Sequence, residues 1–100
     1  MNKNPLEFIQ KNDEELFGAI NFSRELAFKE SALPLKEKLL IALALDASHG
    51  AVEGVKTLAK RALDCGASKE EIMDTLRVTY FVSGVGSIYT AARALEELFS

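Results

Sequence analysis

The stretch Leu33-Pro34-Leu35-Lys36-Glu37-Lys38-Leu39-Leu40-Ile41-Ala42-Leu43-Ala44-Leu45 decides the fold class. Pro34 fits the start of a helix and would break its interior. Lys36, Glu37 and Lys38 are polar, and from Leu39 to Leu45 the chain is apolar without interruption. In a helix from Leu35 to about Ala47, that run is apolar on every side. Such a helix is buried in a core or in an interface between subunits. It is far too short to span a bilayer, which needs about 20 residues.

Toward the C-terminus, Ser48-His49-Gly50 reads as a turn. The next helix runs from Ala51 to Cys65, with Val52, Val55, Leu58, Ala59, Ala62 and Leu63 on its inner face. Gly66 suits the position after a helix, where a left-handed backbone is needed. Ser68-Lys69-Glu70-Glu71 is a capping box. It opens a helix carrying Ile72, Met73, Leu76, Thr79 and Tyr80. Ser83-Gly84-Val85-Gly86 interrupts this helix, with the glycines expected to let two helices approach closely. A last helix runs from about Ser87 to Leu98.

Toward the N-terminus, Asn4-Pro5-Leu6-Glu7 gives a helix to about Lys11, with Asn4 as cap and Pro5 in the first turn. Asn12-Asp13-Glu14-Glu15 repeats the signal for a helix to about Lys29. Leu16, Ile20, Leu26 and Ala27 form its apolar face. No strand alternation of useful length appears. The expectation is an all-α domain of five or six helices, packed as antiparallel hairpins by short loops.

The 100 residues fit one domain, 1–100. Ala and Leu dominate, Trp is absent, and there are two prolines, a bias that favours helix. The net charge of −3 is spread without a basic stripe, which argues against nucleic acid as a partner. No segment reads as a membrane span or as a basic leader, so the expected location is cytoplasmic. One cysteine, Cys65, and one histidine, His49, leave no strong metal-ligand set, and no cofactor motif is present. Gly84 and Gly86 do not form a phosphate loop.

The opening stretch, taken with Ala62-Leu63-Asp64-Cys65-Gly66-Ala67-Ser68-Lys69-Glu70-Glu71-Ile72, resembles the carboxymuconolactone decarboxylase and alkylhydroperoxidase-D-like family. The likeness covers roughly residues 33–98, with the helices of 4–30 preceding it. It implies an all-helical fold, homo-oligomers (trimers or hexamers), and a link to antioxidant defence. Redox-active members carry a Glu, a Cys-x-x-Cys and a His as a relay. One thiolate attacks, the second cysteine resolves, and Glu and His move the proton. The resemblance lays these positions on Leu39, Ala51, Gly54 and Leu58. With one cysteine in the chain, no register supplies the pair.

Three residues are left as catalytic candidates. His49 and Glu53 lie four apart and would share a face if the helix included His49, an arrangement that raises an imidazole pKa. Cys65 is a candidate nucleophile, but a helix C-terminus disfavours its thiolate, and the ordinary expectation is a buried or half-buried structural cysteine. Two functions follow. The first is an oligomeric small-molecule-binding or scaffold protein, its former site an apolar pocket that takes a small organic ligand. The alternative is an enzyme with a rebuilt site using His49, Glu53 or Cys65 for peroxide detoxification or for lactone or acid decarboxylation.

Overall fold

The computed structural model describes residues 4–100. Six helices follow one another: α1 (Leu6–Asn12), α2 (Glu14–Phe28), α3 (Leu35–Ser48), α4 (Val52–Asp64), α5 (Lys69–Ser83) and α6 (Val85–Phe99). Among the described residues there is no strand, and no helix is long and apolar enough to cross a membrane.

The helix starts follow their local chemistry. The Asn4 side chain accepts from the Leu6 N–H at 2.9 Å, and the Asp13 side chain from the Leu16 N–H at 3.0 Å. Ser68 Oγ accepts from the Glu71 N–H at 3.0 Å, and Glu71 Oε1 accepts from the Ser68 N–H at 2.9 Å. This reciprocal pair fixes the first turn of α5 and satisfies two donors that a helix start leaves unpaired. Gly66 takes φ +94°, the left-handed conformation expected of it after α4.

The core is built by four helices. Leu39, Leu43 and Ala47 of α3 are fully buried, four residues apart on one face. Val55, Ala59 and Ala62 of α4 and Ile72 of α5 are equally buried. Ala91, Ala94 and Leu95 of α6 complete the cluster. Alanines at the crossings of α3, α4 and α6 keep the helix axes close. Two ion pairs tie the bundle from outside: Lys36–Glu71 at 3.0 Å joins α3 to α5, and Lys56–Glu97 joins α4 to α6.

Two expectations are corrected. The break between the last helices is one residue, and α6 starts at Val85 instead of about Ser87. Gly84, at φ +85°, turns the chain alone, and Ser87 Oγ donates to its carbonyl at 2.6 Å to close the first turn of α6. Gly84 and Gly86 also have nothing within 4 Å of an added Cβ, so neither sits at a close approach of helices within the chain.

The N-terminal arm stands apart from the core. No residue of α1 or α2 is buried, and α2 touches the rest mainly through α3. Phe22 remains 70% exposed and Leu26 58%. The radius of gyration, 14.5 Å, exceeds the ~13 Å of a compact domain of this length.

Candidate functional site

Helices α3 and α4 form an antiparallel hairpin around Ser48 to Gly50. That turn sets the register in which Asp46 of α3 meets Gly54 of α4. An ideal Cβ built on Gly54 would lie 2.9 Å from Asp46 Cγ, inside contact distance, and 3.5 Å from its Cβ, in ordinary contact. The absence of a side chain at Gly54 is therefore what lets the Asp46 carboxylate lie against α4.

Gly54 and Asp46 open onto a cavity of about 630 Å³ between α2, α3 and α4. Each helix contributes a stripe at helical spacing. Arg24 and Phe28 come from α2, and Ala42 and Asp46 from α3. Glu53, Thr57 and Arg61 come from α4, with Leu58 beside them. Arg61 is stacked over Phe28, its guanidinium carbon 5.3 Å from the ring centre. Carboxylates thus stand at the hairpin end and a guanidinium at the other.

Among the described residues, none of Arg24, Asp46, Glu53 and Arg61 is in an ion pair. Lys36 and Lys56 each reach a carboxylate on a neighbouring helix. The lining also differs from the apolar pocket expected at these positions. Glycine at 54 exposes a neighbouring carboxylate instead of closing the space with carbon.

The four positions assigned to the relay separate into two groups. Leu39 is fully buried and belongs to the core. Ala51 is the half-buried N-cap of α4, while Gly54 and Leu58 line the cavity. Of the three catalytic candidates, only Glu53 lines it. His49 is exposed and caps α3, its N–H donating to the Leu45 carbonyl at 3.1 Å. Because α4 begins at Val52, His49 is not on the helix that carries Glu53, and no ion pair joins the two. Cys65 is exposed at the C-cap of α4, not buried as expected, because the chain leaves the helix there toward Gly66. Among the described residues, no group of three or more His, Cys, Asp or Glu side chains is placed to hold a metal ion.

Asp46, Arg24 and Arg61 did not stand out in the sequence. Counting outward from the Ser48–Gly50 turn would have found Asp46, since an antiparallel hairpin pairs 46 with 54 and 42 with 58. Nothing local signals Arg24, which reaches the cavity only through the placement of α2.

A second cavity, about 490 Å³, lies between α3 and α5. Its walls are Leu40, Ile41, Leu45, Val78 and Val82, so it is largely apolar. Phe81, beside Val82, is 88% exposed.

The carboxymuconolactone decarboxylase family model matches residues 14–97, extending the likeness from the core helices back through α2. The chain is 30% identical over 93 residues to the uncharacterized protein MJ1511 of Methanocaldococcus jannaschii, covering 93% of this chain and 87% of that one. It is 29% identical over 94 residues to a second protein of that organism, the uncharacterized MJ0742, covering 93% and 90% respectively. Among solved structures, it is similar to a carboxymuconolactone decarboxylase family protein from Legionella pneumophila, crystallised in its apo form. The TM-score is 0.86 at 31% identity, over 95% of this chain and 87% of that chain.

Proposed function

The chain belongs to the carboxymuconolactone decarboxylase family, and from that premise we propose that it is a homo-oligomeric member that binds a small organic molecule between α2, α3 and α4 without thiol redox chemistry. One observation carries this reading. The single thiol, Cys65, caps the far end of α4, and the cavity positions Gly54 and Leu58 lie toward the other end. Eleven residues of helical rise place Cys65 about 16 Å along the axis from Gly54. Cys65 does not line the cavity, and a peroxide held at Gly54 would meet no sulfur.

Self-association is supported by what a single chain leaves uncovered. Ile41 and Leu45 lie on the helix expected to be buried all round, yet they are 49% and 56% exposed. With Val78 and Val82 they line the α3–α5 cavity, Phe81 lies exposed next to Val82 in the chain, and α2 adds Phe22 and Leu26. An apolar surface of this extent suits an interface between subunits. A cytoplasmic location belongs to the same reading.

A rebuilt enzyme is the second reading, favoured by Glu53 on the cavity wall. A hydroperoxide-reduction assay with dithiothreitol, run on wild type and on Cys65→Ser, tests the first reading. No turnover is expected in either. Turnover that the substitution abolishes would overturn it. Turnover that survives the substitution would favour the rebuilt site instead.

A further inference from the structure

The charges of the α2–α3–α4 cavity fall into an order that a simple organic acid would not complement. Asp46 and Glu53 stand at the hairpin end, where α3 finishes and α4 starts. Arg61 stands in the last turn of α4, backed by Phe28, with Arg24 one turn away from Phe28 on α2. Glu53 and Arg61 are eight residues apart, about 12 Å along the helix axis. Both lie on the stripe that Thr57 continues between them.

Arg24, Glu53 and Arg61 are exposed and Asp46 is half-buried, and among the described residues none of the four is in an ion pair. In this cavity the helices hold them apart. A positive guest alone would leave the guanidiniums unanswered, and a negative guest alone would leave the carboxylates unanswered. A guest with a cation at one end and an anion at the other answers both, with an apolar middle against Leu58, Ala42 and the Phe28 ring. The spacing excludes an α-amino acid with an uncharged side chain, whose two charged groups are bonded to one carbon and cannot reach both ends.

Gly54 is the second element of the design. Any side chain there would occupy the space of the Asp46 carboxylate. A cysteine at 54, which the relay requires, and a carboxylate from 46 in its present place are mutually exclusive.

We infer that the Asp46 carboxylate fills the space of a side chain at position 54 and that the cavity binds a small ω-amino acid, its ammonium at Asp46 and Glu53 and its carboxylate at Arg61. The inference rests on the non-redox reading of the same cavity.

Calorimetric titration of the full chain with 6-aminohexanoate, hexanoate and hexylamine separates the alternatives, and backbone amide NMR places the site. The zwitterion is expected to bind at least about tenfold more tightly than either single-charge probe, because each lacks one charge-assisted contact worth that factor or more. Its amide shifts are expected on α3 and α4 around Asp46 and Gly54. Asp46→Asn and Arg61→Gln should each weaken it by about tenfold and reduce its advantage over one single-charge probe. Circular dichroism identifies a variant that has lost its fold, and the other variant then carries the comparison. Equal binding of hexanoate or hexylamine, binding elsewhere on the chain, or no binding of 6-aminohexanoate would overturn the inference while leaving the non-redox reading standing. Cys65-dependent peroxide turnover would instead sink that reading, whatever the titrations give.

Discussion

Lys36 of α3 donates to Glu71 Oε2 across 3.0 Å while the other oxygen of the same carboxylate accepts from the Ser68 N–H at 2.9 Å. One side chain therefore closes the start of α5 and fastens it to α3. The Ser68 N–H first, and the Lys36 ammonium second, hold the Glu71 carboxyl below its ordinary 4.5. A carboxyl depressed in the folded chain contributes its full stability above the ordinary value and loses it as pH falls through the lower folded value. Glu97, lowered by Lys56, acts with the same sign. Stability measured by urea unfolding should decline from about pH 5 downward, and Glu71→Gln should flatten part of that decline. Lys36 is raised above 10.5 by the same hydrogen bond, so its contribution fades only as pH rises through that region.

Ser68→Ala removes the hydroxyl half of the capping box and should cost about 1 kcal/mol. The loss should appear in the midpoint of chemical unfolding with an unchanged slope.

Gly54→Ala sets two effects against each other. Alanine is favoured over glycine in a helix interior by about 1 kcal/mol, while crowding a packed contact costs about 1–3 kcal/mol. With Asp46 in place the substitution should destabilise. In an Asp46→Ala background the crowding disappears and Gly54→Ala should stabilise. A double-mutant cycle by urea unfolding reads this reversal. The same sign in both backgrounds would show that Asp46 and position 54 do not compete for space.

The sequence marks helices, caps and turns because their causes are local. Ser68 and Glu71 lie three residues apart, and Gly66 meets its left-handed requirement within one turn. The core stripe Leu39-Leu43-Ala47 follows from spacing alone. The cavity does not follow in that way. Asp46 reads as a polar interruption near the end of an apolar helix until the hairpin places it over Gly54. Arg24 and Arg61 are exposed charges, and that they line one cavity is seen only once α2 is placed against α3 and α4. The resemblance pointed to positions 54 and 58, and both line the cavity, but not to the neighbours that set its charge.

Leu39→Ala should destabilise by about 2–5 kcal/mol, since the side chain is fully buried and the α3–α4–α6 packing has little room to collapse. Differential scanning calorimetry would register the change as a large fall in melting temperature.

Phe81→Glu, alone or with Val78→Glu, should shift the chain toward a monomer in size-exclusion chromatography with light scattering. Val78 lines the α3–α5 cavity and Phe81 is an exposed aromatic on the same helix, so each substitution places a charge on exposed apolar surface. A wild type that is already monomeric at micromolar concentration would remove the basis of the proposed interface.

Gly84 alone separates two fifteen-residue helices, α5 and α6. The corner has no slack. One residue added after it would rotate every later position of α6 by about 100°. Ser87, Ala91, Ala94 and Leu95 would then turn from the core toward water. Substitutions around this corner can accumulate one at a time, but a change of length cannot, so descendants of this chain should differ in spelling there and not in register.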